Sequence, residues 1–77
     1  MDTRQIRDEI DRFSDAHIRF LIDQFIHSER DRAILKRKLL DDITFERLAE
    51  EFDLSVRRTK TIVYNGQMKI YKHIPRE

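Results

Sequence analysis

Residues 44–63, TFERLAEEFDLSVRRTKTIV, constrain the fold more than any other stretch of this 77-residue chain. The first half carries four apolar residues at the i, i+3, i+4 and i+7 spacing that gives a helix one apolar face: Phe45, Leu48, Ala49 and Phe52. The pattern breaks at Asp53, and Ser55 stands where a helix N-cap belongs, ahead of a longer helical pattern. The stretch therefore predicts two helices separated by a short turn.

The rest of the chain also follows helical periodicity. Gly66 and Pro75 are its only glycine and proline, whereas an all-β chain needs many turn residues. The pattern predicts five helices, at about 3–13, 15–27, 29–41, 45–52 and 56–73. We therefore predict an all-α class: a single small domain of four to five helices containing a helix–turn–helix. Residues 1–28 supply the N-terminal helices, and residues 29–74 supply the part with the helix–turn–helix.

Two features predict how these helices pack. Ala49 is small enough to let two helix backbones approach where they cross, and Phe20 and Ile26 widen the apolar face of the helix at 15–27. In the last helix, five residues fall on a core side at about 100° per residue: Thr59, Ile62, Val63, Gly66 and Ile70. The opposite side carries Arg57, Lys60, Thr61, Tyr64, Met68 and Tyr71.

The outward residues Met68 and Tyr71 form an apolar patch that needs a cover. Either the N-terminal helix, through Ile6, Ile10 and Phe13, folds back on it, or another chain covers it, as in a homodimer. We favour the first alternative.

The start of the last helix breaks a local rule. Helix N-termini favour acidic side chains, yet Arg57 and Arg58 occupy this first turn, and Lys60 follows. Residues 54–76 hold six basic side chains and no acidic one, while Lys36, Arg37 and Lys38 form a second basic band on the helix at 29–41. A phosphate backbone would neutralise the first of these groups and also suit a helix N-terminus. The pattern indicates a nucleic-acid-facing helix.

Other function classes find little support in the sequence. No apolar run approaches the ~18–20 residues of a membrane span, no signal-peptide pattern is visible, and there is no cysteine, so we expect a cytoplasmic protein. His17, His27 and His73 lack metal-ligand spacing, and the serines sit at helix caps. We expect no enzyme activity, no catalytic residue, no metal and no cofactor.

The stretch from Glu29 to Asn65, ERDRAILKRKLLDDITFERLAEEFDLSVRRTKTIVYN, resembles the fourth region of bacterial housekeeping-type sigma factors. It is also similar to small sigma-like regulators of phages and mobile elements. The shared features are the ERDRAIL opening, the LLDDITFERLAEEF pair, the cap at Ser55 and the SVRRTKTI segment. The family's turn usually has glycine where Asp53 stands, and its reading helix differs in type at Val56, Arg57 and Thr61.

The resemblance implies that the segment after Ser55 reads promoter DNA in the major groove. Together with the charge pattern it gives a predicted DNA-binding set: Ser55, Val56, Arg57, Arg58, Lys60, Thr61, Tyr64 and Lys69. The leading hypothesis is a sequence-specific regulator of transcription that binds double-stranded DNA. The alternative is a protein-interaction module of a phage or mobile element that binds RNA polymerase or another nucleic-acid-handling complex and inhibits or redirects it.

Overall fold

The computed structural model describes residues 3–74, which form five α-helices and, within that range, no strand. The helices are α1 (Thr3–Asp11), α2 (Asp15–Phe25), α3 (Glu29–Leu39), α4 (Phe45–Glu51) and α5 (Val56–Lys72). The predicted all-α class is confirmed, and each helix ends one or two residues before its predicted limit. A single apolar core takes residues from all five helices.

Hydroxyl side chains fix where four of these helices begin. Each caps its helix by accepting a hydrogen bond from the backbone N–H three residues later: Ser14 at 3.2 Å, Ser28 at 3.3 Å, Thr44 at 3.2 Å and Ser55 at 3.0 Å. Such caps satisfy N–H groups that the first turn of a helix leaves without partners. The predicted cap at the start of α5 is therefore confirmed.

The turn between α4 and α5 is closed by two backbone hydrogen bonds. Leu54 N–H donates to Ala49 O at 2.9 Å, and Asp53 N–H donates to Glu50 O at 3.3 Å, the pattern of a Schellman C-cap. Asp53 takes the left-handed conformation that this cap requires, with φ of 54°. Aspartate tolerates that conformation better than most non-glycine residues, so the turn forms without the usual glycine.

Helix α5 is the common packing partner of the other four helices. Its buried residues are Thr59, Ile62, Val63, Gly66, Gln67 and Ile70, which include every core residue predicted for it. The one hydroxyl among them is satisfied locally, because Thr59 Oγ1 donates to Ser55 O at 2.9 Å. About half of the circumference of α5 is thus committed to the core.

Helices α3 and α5 approach closely at Gly66. A β-carbon placed on Gly66 would lie 2.8 Å from Leu35 Cδ2 and 3.0 Å from Leu35 Cγ, and closer still to Cδ1. Since Leu35 is itself fully buried, its side chain has little room to move away. The absence of a side chain at residue 66 therefore sets the distance between the two helices.

The N-terminal helix does fold back on α5, as we favoured. Ile6 and Ile10 are buried in the shared core, and Tyr71 is half-buried against it. The cover is only partial, because Tyr64 stays 37% exposed and Met68 stays 39% exposed.

The prediction for α2 is wrong at Phe20, which is 58% exposed rather than part of the buried face. Phe20 lies about 200° around the helix from Ile18, and α2 packs against α3 and α5 with the face that carries Ile18, Leu21 and Ile22. Ile26, just beyond the helix, is buried as expected.

Gly66→Ala should destabilise the fold although alanine is the better helix former. Overpacking a buried contact costs about 1–3 kcal/mol, while replacing glycine within a helix gains about 1 kcal/mol. Because the new methyl group would meet a buried Leu35, we expect a net loss of up to about 2 kcal/mol in the free energy of unfolding, measured by urea denaturation.

Asn65→Ala is the matched control, since Asn65 is exposed on the same helix and alanine should add a few tenths of a kcal/mol there. If Gly66→Ala were as stable as the Asn65→Ala variant, the close approach of α3 and α5 would be wrong.

Candidate nucleic-acid interface

The N-terminus of α5 presents two arginines to solvent. Arg57 and Arg58 are both exposed, and the first turn of the helix contains no acidic residue. The backbone N–H groups of this turn carry partial positive charge, so the two guanidinium groups add to a potential that is already positive. An anion bound here would interact favourably with both.

The solvent-facing half of α5 extends this positive potential along the helix. Nine residues of α5 are exposed: Arg57, Arg58, Lys60, Thr61, Tyr64, Asn65, Met68, Lys69 and Lys72. At about 100° per residue they span roughly half of the helix circumference. We call this set the α5 face. Five of its nine side chains are basic and none is acidic.

Ion pairs within residues 3–74 avoid the α5 face. They are Arg7–Asp11, Arg7–Asp42, Arg12–Glu9, Arg30–Asp31, Lys36–Asp23, Arg37–Asp41 and Arg37–Glu51. No basic side chain of the face is paired with a carboxylate in this described part of the chain. The positive charge of the face is therefore available to an outside partner.

The second basic band, on α3, has a different role. Arg37 binds Glu51 of α4 with two hydrogen bonds, Nε to Oε2 at 3.0 Å and Nη2 to Oε1 at 2.5 Å, and Nη1 reaches Asp41 Oδ2 at 2.7 Å. The hydrogen bonds that Arg37 donates, first to Glu51 and then to Asp41, raise the pKa of Arg37, and the hydrogen bond from Arg37 lowers the pKa of Glu51. Lys36 pairs with Asp23 at 2.7 Å. This band thus ties helices together.

One flank of the α5 face is bordered by an aromatic pair. The Phe45 and Tyr64 rings meet edge to face, with centroids 5.8 Å apart. Lys60 Nζ lies 5.6 Å from the centroid of the Phe45 ring, and Lys38 Nζ lies 4.4 Å from it. Cation–π contact orients Lys60 toward α4 but leaves its charge unneutralised.

The other flank borders a cavity of about 170 Å³ between α5 and the start of α3. Its polar lining is Arg30, Asp31, Arg58, Thr61, Asn65 and Lys69. The floor is apolar and includes Leu35 and Gly66 at the close approach of α3 and α5. Arg30 Nε is 3.3 Å from Asp31 Oδ1, so one carboxylate offsets part of the charge of the three basic groups.

Arg30 is a candidate residue that sequence reasoning missed. It lies two residues after the Ser28 cap of α3, and nothing in the sequence links it to Arg58 or Lys69. The structure brings these residues together because α3 and α5 approach closely at Gly66. The start of α3 then lies beside the side of α5 that carries Arg58 and Lys69.

The other predicted site residues differ in how accessible they are. The Ser55 hydroxyl is exposed but already accepts the Arg58 N–H, and Thr61 Oγ1 donates to Arg57 O at 3.1 Å, so each can offer only its remaining hydrogen-bonding capacity. Val56 is half-buried and lies on the core side of α5 with Thr59 and Val63. It is therefore the member of the predicted set with the least surface for contact.

Two of the three exposed histidines contact aromatic rings. His17 lies edge-on to Phe13 at 4.6 Å, and His73 stacks on Phe25 at 3.8 Å. Within residues 3–74, no group of three or more His, Cys, Asp or Glu side chains is arranged to hold a metal ion. None of the described helices is long and apolar enough to cross a membrane.

Comparison with models of known protein families, with curated proteins and with solved structures finds no match to this chain. The resemblance to the fourth region of sigma factors therefore remains a prediction from the sequence.

Proposed function

We propose that this protein binds double-stranded DNA through the α5 face. The observation that supports the proposal is the uneven use of charge: five exposed cations on one helix side have no carboxylate partner in residues 3–74, while most basic side chains of α1 and α3 do. DNA carries a dense line of phosphate charge, which is the counterpart such a face lacks within the protein.

The dimensions of α5 suit the major groove. A helix with side chains is about 10–12 Å across, and the major groove of B-DNA is about 12 Å wide. The first turn of α5 is the end expected to enter, because helix–turn–helix proteins contact base edges with the N-terminal residues of their second helix. Arg57, Lys60 and Thr61 would then face the bases.

The flanks of the face would hold the DNA backbone. Arg58 and Lys69 border the cavity that also contains Arg30, so a phosphate on that side would meet basic groups from two helices. Such contacts position the protein on DNA without reading sequence. In this proposal α5 supplies both kinds of contact, and the protein acts as a sequence-specific regulator of transcription.

Arg57→Ala should weaken binding to a preferred duplex by about 1–3 kcal/mol, because arginine pairs with guanine through two hydrogen bonds. Its effect on a scrambled duplex should be much smaller. Arg58→Ala should weaken both duplexes alike, as expected for a phosphate contact. The preferred duplex comes from one selection against random DNA, and both affinities are measured by fluorescence anisotropy.

Arg19→Ala on α2 is the control for the loss of one positive charge, since Arg19 is exposed and lies outside the α5 face. The proposal fails if Arg57→Ala and Arg58→Ala each bind both duplexes as tightly as the control variant Arg19→Ala does.

The second candidate function is the protein-interaction module. Met68 supports it, because this apolar side chain is 39% exposed near the middle of the α5 face, with Tyr64 close by on the same side. Methionine adapts well to protein surfaces, whereas DNA backbones offer it little. A complex such as RNA polymerase would bury it.

Met68→Lys separates the two candidates. On duplex DNA the new cation should leave affinity unchanged or raise it, because the face already binds phosphate. On a protein partner the same change removes apolar burial worth about 1.5–3 kcal/mol and adds a charge, so binding should fall. Duplex affinity that drops sharply for Met68→Lys, in a variant with a native melting midpoint, would count against DNA binding by this face.

A further inference from the structure

A second cavity, a groove of about 340 Å³, lies between α1, the start of α4 and the side of α5. That volume falls within the range of about 300–1,000 Å³ typical of small-molecule sites. The groove is on the opposite flank of α5 from the Arg30 cavity, and its α5 lining comes from Tyr64 and Gln67. Duplex binding by the α5 face does not account for it.

Gln67 is the unusual residue of this groove. It is only 3% exposed, and its side chain forms no hydrogen bond within residues 3–74. Every side-chain nitrogen or oxygen that is shut off from solvent in this part of the chain does have a partner. The Gln67 amide therefore keeps its access to solvent through the groove that it lines. An amide this deeply buried, with no partner in residues 3–74, depends on water or a ligand in the groove to satisfy its hydrogen bonds.

The remaining walls combine flat apolar surface with mostly positive charge, since Arg4, Arg7 and Lys38 line the groove together with one carboxylate, Asp8. Tyr64 and Phe45 supply two aromatic rings that meet edge to face. Lys38 is held in place, since its Nζ donates to Ile43 O at 2.8 Å and lies over the Phe45 ring. Arg7 is also fixed, at 2.9 Å from Asp11 Oδ1 and 3.5 Å from Asp42 Oδ1. Lys38 and Arg7 both line the groove, so these two cations are ordered before any ligand arrives.

We propose that this groove binds an adenine nucleotide. The base contacts the Tyr64 and Phe45 rings, the Gln67 amide hydrogen-bonds its edge, and the phosphate lies toward Lys38 and Arg7. A carboxamide matches adenine because it offers one donor and one acceptor to N7 and the N6 amino group. Aromatic stacking is a common way for proteins to hold a base.

Other ligand classes satisfy only part of this lining. Inorganic phosphate would use the basic groups but neither the rings nor the amide. An apolar ligand would use the rings and leave the amide without a partner, at a cost in affinity. A nucleotide joins a flat ring, a hydrogen-bonding edge and a negative charge in one molecule. The nucleotide is either free or part of a single strand, and both sources offer the same base and phosphate to the groove.

Titration of the full chain with AMP, followed by ¹H–¹⁵N NMR, tests the proposal. We expect AMP to cause saturable shifts of the Gln67 side-chain amide signal and of the Phe45 and Tyr64 backbone signals. Inorganic phosphate should not shift the Gln67 amide signal. Gln67→Met should weaken AMP binding roughly tenfold, by loss of a pair of hydrogen bonds. Tyr64→Leu, at an exposed position that tolerates change, should weaken it by a similar factor through loss of stacking.

Three further measurements separate AMP binding at this groove from a packing role of Gln67, from duplex binding and from binding of a single strand. Gln67→Met should melt at the same temperature as the wild type or higher, because it replaces an almost fully buried amide that has no partner in residues 3–74. Arg57→Ala should leave AMP binding unchanged, because Arg57 does not line the groove. AMP binding and duplex binding are therefore tested independently, and a failure of duplex binding does not overturn this proposal. A short deoxyadenosine strand that binds the groove more tightly than AMP would identify a single strand as the source of the nucleotide, and weaker binding would identify the free nucleotide.

The proposal is overturned if AMP produces no saturable shift at Gln67. It is also overturned if Gln67→Met and Tyr64→Leu bind AMP as tightly as the wild type does.

Discussion

The close contact between Gly66 and Leu35 is the constraint on which the rest of the structure depends. It brings α3 against α5, and the other three helices then pack around the remaining buried side of α5. A seven-residue α4 and a nine-residue α1 are too short to be stable alone, so both rely on that central helix. One consequence is that α5 has a single side left for solvent, and all its exposed residues lie there.

The distribution of charge follows the same division between surfaces where helices meet and the exposed side of α5. Where helices meet, basic groups such as Arg37 and Lys36 are matched by carboxylates and join one helix to another. On the α5 face, five basic groups stand together, and two of them occupy a first turn that disfavours them. A small domain has only a few kcal/mol of net stability, so an arrangement that costs stability locally is typical of a functional surface.

Local patterns in the sequence were enough to predict the helices, their caps and the division of α5 into a core side and an outer side. Ser55 and Thr59 illustrate this, because cap chemistry and helical periodicity act over a few residues. What needed the structure is long-range. Phe20 was predicted to lie in the core because its side chain is apolar, yet none of the five described helices packs on its side of α2. Arg30 and Gln67 gained meaning only when the folded chain placed them beside Lys69 and Phe45 around two cavities.

The central claim is that the α5 face meets DNA phosphates, and the salt dependence of duplex binding tests it most directly. Each phosphate contact contributes about −0.9 to the slope of log affinity against log salt concentration. With three to five of the basic groups of the face in contact, the slope should lie between about −2.7 and −4.5. A slope near zero, or no duplex binding even at low salt, would contradict the claim and favour a protein partner for this face.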